Sequence, residues 1–273
     1  MIYKLDGVTK VYSARTGAVQ ALDGVNLQVS TGECVALIGQ SGVGKSTLFR
    51  LLNATQRPSA GSLRFDGAVV NEMSSRELRS MRRRVGTVYQ QHYLVPSLSV
   101  LDNALCGRLG SWSLLRTLRS AVRPPKDDVE RAIAVLESVG LADKRRARAD
   151  ELSGGQQQRL AIARALIQQP DVILADEPVA SLDPTLAESI TNLLVRLVTE
   201  GKRTLIVSLH SVELARCYFP RIVGLRCGAI AFDVSSPDLS SELLDEVFRP
   251  DGPQTKDNTQ VDASPRYQIR CSH

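Results

Sequence analysis

GQSGVGKST, Gly39 to Thr47, closes the apolar run CVALIG (Cys34 to Gly39) and fits the pattern G-x-x-x-x-G-K-[ST]. A short continuous apolar run ending on glycine predicts a strand buried on both faces, and a helix is expected from Lys45 to about Asn53. Each residue type has a reason. Gly39, Gly42 and Gly44 open backbone torsions closed to side-chain-bearing residues, so consecutive N–H groups can converge on phosphate. The helix that starts there adds the partial positive charge of its N-terminus. Lys45 brings a mobile cation to the β- and γ-phosphates, and the Ser46 hydroxyl can coordinate Mg²⁺. All nine residues, Gly39, Gln40, Ser41, Gly42, Val43, Gly44, Lys45, Ser46 and Thr47, are therefore candidate contacts to a bound nucleotide's phosphates.

Two further buried strands are expected at VILAD (Val172 to Asp176) and TLIVSL (Thr204 to Leu209). Between them Leu186, Ile190, Leu193, Leu194 and Leu197 recur at helical spacing. Strands alternating with helices imply a right-handed parallel sheet, an α/β fold. Asp176 would stand at the carboxyl end of its strand, placed to bind Mg²⁺ through water. Glu177 follows where an attacking water would sit, and a carboxylate there can orient and deprotonate it.

LSGGQ (Leu152 to Gln156) supplies a second anion site. Ser153 can cap the helix QQQRLAIARALI, while Gly154 and Gly155 leave N–H groups exposed beside Gln156. Elsewhere, short runs at Ile2 to Tyr12, Gly24 to Val29 and Leu63 to Val70 predict strands, and Ile222 to Asp233 a hairpin turning near Cys227-Gly228. Residues from roughly 92 to 170 read as helical, most clearly Asp127 to Val139. There Val129, Ile133 and Leu136 share a face, Asp127 and Asp128 sit in the first turn, and Gly140 can end the helix.

Composition sets the outer limits. The 273 residues are 43% hydrophobic and 23% charged, ordinary for a globular chain, and 34 Lys and Arg against 29 Asp and Glu give +5. The longest stretch without Asp, Glu, Lys or Arg runs from Val85 to Leu101 and contains Gln90, Gln91, His92 and Pro96, so no membrane span is expected. MIYKLDGVTK shows no export signal, and the five scattered cysteines suggest reduced thiols.

These motifs together resemble the ATP-binding subunits of ABC transporters, over about residues 1 to 249. In that resemblance GQSGVGKST is Walker A, VILADE is Walker B and LSGGQ is the signature. It implies a P-loop NTPase (ABC ATPase) with a parallel-sheet core, an N-terminal antiparallel β-subdomain and an inserted helical subdomain at about 92 to 165. Residues 250 to 273 would be a loosely ordered tail. Tyr12 in TKVYS matches the residue that stacks on adenine, and Gln90 in VGTVYQ the Q-loop glutamine that touches Mg²⁺. Asp183 in SLDP matches the D-loop aspartate, and His210 the switch histidine that contacts the γ-phosphate. Glu177, His210, Gln90 and Lys45 are then the catalytic set, with Ser46, Gln90 and Asp176 toward the metal.

The resemblance also implies a head-to-tail homodimer in which one chain's Walker A and the other's LSGGQ clamp one ATP. The partners would be a transmembrane permease and a separate solute-binding protein, at the cytoplasmic face of the inner membrane, with no nucleic acid. DEPVASLDP, SVELARCYFPRIVGLRCGAIAFD and the stretch from Leu115 to Glu151 look like the phosphonate import ATP-binding proteins. Importers of phosphite, amino acids or another small solute are the alternatives. A soluble ABC-type ATPase acting on nucleic acid is a remoter one, motivated by the charge and by Arg82-Arg83-Arg84.

Overall fold

The computed structural model describes residues 1–14, 17–112 and 124–249, so the expected tail and part of the expected helical insert lie outside the described residues. Among the described residues ten strands form two sheets. The first is antiparallel, in the order β2-β1-β4-β5, from Tyr3–Ala14 (β1), Gly17–Val29 (β2), Ala60–Phe65 (β4) and Ala68–Val69 (β5). The second has the order β10-β9-β3-β8-β7-β6, from Cys34–Ile38 (β3), Val85–Val88 (β6), Val172–Asp176 (β7), Thr204–Leu209 (β8), Arg221–Arg226 (β9) and Ala229–Ser235 (β10). Strands β6, β7, β8, β3 and β9 run parallel, so their carboxyl ends share one edge.

Alternation within β3 shows why a continuous apolar run was needed. Val35 and Leu37 face one hydrophobic cluster while Ala36 and Ile38 face the other, and all four are fully buried. The first cluster holds the antiparallel sheet and helix α1 (Lys45–Leu52), whose Leu48, Phe49, Leu51 and Leu52 are buried between the sheets. The second is covered by α3 (Val100–Leu105), α4 (Lys126–Ser138), α5 (Gly154–Leu166) and α6 (Pro184–Glu200), with α7 (Val212–Tyr218) and α8 (Ser241–Phe248) behind.

The expected hairpin turns on Cys227 and Gly228, both at positive φ as a two-residue turn demands. Gly140 ends α4, with Gly140 N–H on the Glu137 carbonyl and Leu141 N–H on that of Leu136. Other readings shift. β2 begins at Gly17 rather than Gly24, because its first four residues are exposed and carry no apolar alternation. The stretch 92–170 is not continuously helical: it includes the loop before Ser99 and turns between Leu141 and Ser153. Helix α2 (Ser75–Arg84), opened by a Ser74/Glu77 capping box, was not among the expected elements.

Asp128 is not a solvated first-turn charge. It is 1% exposed, and its carboxylate accepts from Arg108 Nε at 3.1 Å and Trp112 Nε1 at 3.2 Å. Cys34, Cys106 and Cys227 form no disulfide, but Cys217 is disulfide-bonded, which departs from the expectation of five reduced thiols. Among the described residues no helix is long and apolar enough to cross a membrane.

Candidate functional site

The shared carboxyl edge of the parallel strands gathers part of the residues that the sequence singled out. β3 leads through Gly39–Gly44 into α1. Gly39 and Gly44 both stand at positive φ, and a Cβ would fall 2.4 Å from the Leu225 carbonyl oxygen at the first and 2.5 Å from that of Ala21 at the second. The loop can pass there only as glycine. Lys45 is 4% exposed, and its ammonium donates to the carbonyls of Gly39 at 2.8 Å and Gln40 at 2.9 Å. Burial lowers its pKa from the ordinary lysine value, while the Glu177 and Asp176 carboxylates oppose that shift.

Those carboxylates end β7, two strands from β3, with β8 between. The parallel register sets Asp176 opposite Ser208. The Ser208 hydroxyl donates to Asp176 Oδ1 at 2.8 Å and accepts the Glu177 N–H at 2.8 Å. Glu177 takes a left-handed φ of 49°, uncommon outside glycine. Its Oε1 lies 3.7 Å from Lys45 Nζ and 2.7 Å from His210 Nε2. Lys45, Asp176, Glu177 and His210 thus come together across three strands. Ser208 escaped the sequence reading; its signal is a lone serine near the end of the otherwise apolar run TLIVSL, in register with an aspartate.

The remaining residues take varied positions. Tyr12 is half-buried, donates to Gln56 Oε1 at 2.5 Å and reaches Thr47 Oγ1 at 3.5 Å, with the Lys10 ammonium 5.3 Å from its ring centroid. Ser41, Gly42 and Ser46 are exposed, and Val43 packs against the core beside α1. The Gln40 amide donates to the Phe248 carbonyl at 2.8 Å, tying the loop to the end of α8. Gln90 is exposed just past β6, at the same edge as Asp176.

In LSGGQ, Ser153 caps α5 through a capping box with Gln156, whose Oε1 accepts the Ser153 N–H at 3.1 Å. Gly154 faces open space, whereas a Cβ on Gly155 would meet Leu186 at 2.6 Å. Asp183 caps α6 by accepting the Leu186 N–H at 3.0 Å. The signature and Asp183 therefore occupy adjoining helix starts, and their contacts are with each other's surroundings rather than with Lys45 or Glu177.

Candidate metal ligands are all oxygens: the Ser46 hydroxyl, the Gln90 amide oxygen and Asp176, whose Oδ1 is held by Ser208. Among the described residues no group of three or more His, Cys, Asp and Glu could hold a metal by itself. One carboxylate with a hydroxyl and an amide fits Mg²⁺, which keeps several waters and leans on substrate phosphates.

Residues 22–180 match the ABC transporter family. This chain belongs to that family. The ABC chain is 43% identical over 245 residues to the phosphonates import ATP-binding protein PhnC 1 of Rhodopseudomonas palustris, covering 90% of this chain and 88% of that one. It is 46% identical to the phosphonates import ATP-binding protein PhnC of Pseudomonas fluorescens, covering 85% and 87%. Among solved structures it resembles the dimeric MJ0796, a bacterial ABC transporter cassette, at 33% identity and a TM-score of 0.76, covering 86% of this chain and 99% of that one. The same cassette in a dimeric post-hydrolysis state bound to ADP and Pi matches at 34% identity and a TM-score of 0.74, covering 86% and 99%. Its P-loop core is thus that of an ABC ATPase.

Proposed function

We propose that this chain is the ATP-hydrolysing subunit of an ABC importer for phosphonate, with residues 1–249 as the working ATP-binding unit. The observation that carries the chemistry is the meeting of Lys45, Glu177 and His210 around one carboxylate oxygen. The cargo reading is supported by the names of relatives that this chain matches along most of its length. Nothing in the site would touch the solute, which in such a system meets a permease and a solute-binding protein.

Lys45 is already held at the loop by two carbonyls, so a bound triphosphate would replace weak acceptors with charged ones. The loop N–H groups and the start of α1 would take the remaining phosphate oxygens, with Tyr12 against the adenine. Ser46, Asp176 and Gln90 would hold Mg²⁺, which neutralises charge between the β- and γ-phosphates. Glu177 would orient and deprotonate the attacking water, and His210 would keep its carboxylate turned toward the γ-phosphate. Ser153, Gly154, Gly155 and Gln156 of a second copy, with its Asp183 nearby, would close the same nucleotide from the other side. The open space beside Gly154 in one chain makes sense if a partner's ATP fills it. The dimer would sit on its permease at the cytoplasmic face of the inner membrane.

Purified protein should hydrolyse ATP in a Mg²⁺-dependent manner, with a rate that rises more steeply than linearly with protein concentration as dimers form. Rate per chain independent of concentration down to the nanomolar range, with only monomers present, would contradict the shared-site reading. Transport of radiolabelled methylphosphonate by cells carrying the chain and its permease tests the cargo; uptake unaffected by deleting the chain would reject it.

A further inference from the structure

We infer that Ser208 is a positioning residue that sets the geometry of Asp176 and Glu177 together, an inference that rests on the roles proposed for those two carboxylates. Ser208 is fully buried near the end of β8, the strand that separates β3 from β7. A hydroxyl offers one proton and two lone pairs. Here the proton goes to Asp176 Oδ1 and a lone pair takes the Glu177 N–H, both at 2.8 Å.

Two consequences follow for the chemistry. Because Oδ1 accepts the Ser208 proton, rotation of the Asp176 carboxylate is restrained, and Oδ2 would be the oxygen left for a cation's water. At Glu177 the chain leaves the strand in a left-handed turn, a sparsely populated conformation for a residue with a side chain. The Ser208 hydroxyl gives the Glu177 N–H a partner at that turn. That turn is what carries the Glu177 side chain to Lys45 and His210. β8 and the residue that follows it thus grip Glu177 twice, by its peptide N–H through Ser208 and by its carboxylate through His210.

A serine that merely satisfied buried groups would affect stability alone. The test compares full-length Ser208→Ala, Ser208→Cys and Ser208→Thr with the wild type and with Glu177→Gln. ATP affinity is measured with EDTA and with Mg²⁺, and kcat, KM and the thermal midpoint are recorded. Ser208→Ala should bind ATP in EDTA as the wild type does, yet lose most of the gain in affinity that Mg²⁺ brings. Its kcat should fall about ten- to a hundredfold with little change in KM, the scale expected when a reacting group is displaced by a fraction of an ångström. Ser208→Thr, which keeps the hydroxyl and suits a strand, should recover most of both losses. Ser208→Cys keeps the shape with a weak donor and should behave like Ser208→Ala, which preserves the comparison if the alanine variant does not fold.

Unchanged kcat and Mg²⁺ response in Ser208→Ala, or losses that threonine fails to recover, overturn the inference. Wild-type turnover in Glu177→Gln would instead remove the reading beneath it, so the two failures are distinguishable.

Discussion

His210 Nε2 stands 2.7 Å from Glu177 Oε1, the same oxygen that lies 3.7 Å from Lys45 Nζ. One carboxylate oxygen therefore joins the ends of β7 and β8 to the loop after β3. The histidine side chain is 41% exposed, while Glu177 is 16% exposed. The imidazole thus holds the carboxylate, and in the proposed mechanism it would keep that carboxylate turned toward the γ-phosphate.

His210→Ala removes that hold without opening a core cavity. Turnover should drop by about a hundredfold, within the usual range for a positioned proton-transfer pair, with KM for ATP nearly unchanged. Steady-state kinetics decide it. A rise in KM with kcat preserved would assign His210 to ATP binding alone.

Lys45→Ala should weaken ATP binding by about ten- to a hundredfold, since hydrogen bonds to charged groups contribute about 1.5–3 kcal/mol each. Titration with a fluorescent ATP analogue measures it. Affinity within error of the wild type would show that the ammonium, held by Gly39 and Gln40, never turns to phosphate.

The two signature glycines should separate fold from function. A methyl group at Gly155 would meet Leu186, so Gly155→Ala should lower the thermal midpoint. Gly154 faces open space at the first position of α5, where an added methyl would meet nothing. Gly154→Ala should therefore keep the midpoint while ATPase activity falls, because the added methyl intrudes where a partner's phosphate would approach. Full activity in Gly154→Ala would argue that no ligand comes to that helix start.

Asp128→Ala removes a buried carboxylate that accepts from Arg108 Nε and Trp112 Nε1. Removing one member of such a pair costs about 3–5 kcal/mol. Denaturant unfolding should show that loss with ATP affinity per folded chain intact. A change near zero would contradict a stabilising role for Asp128.

The parts of this fold written in short-range pattern were legible from the sequence. CVALIG, VILAD and TLIVSL read as buried strands because both faces of each are covered, and the motifs at their ends named Lys45, Asp176, Glu177 and His210. What escaped depended on pairing between distant segments. Nothing local reveals that Asp128 is buried against Arg108 and Trp112, since an acidic first turn reads the same whether solvated or enclosed. The exposed start of β2 has no apolar period because it pairs only with its neighbour and covers no core. Ser208 gained its meaning from a register, Asp176 opposite Ser208, that a single strand cannot disclose.

The central claim is that Glu177 activates water at an ATP shared between two chains. Its most direct measurement is Glu177→Gln with saturating Mg²⁺ and ATP, following turnover and molecular mass together. Turnover at least about a hundredfold below wild type, with a stable dimer that retains ATP, is the predicted result. Wild-type turnover, or an inactive variant that binds ATP as a monomer, would contradict it.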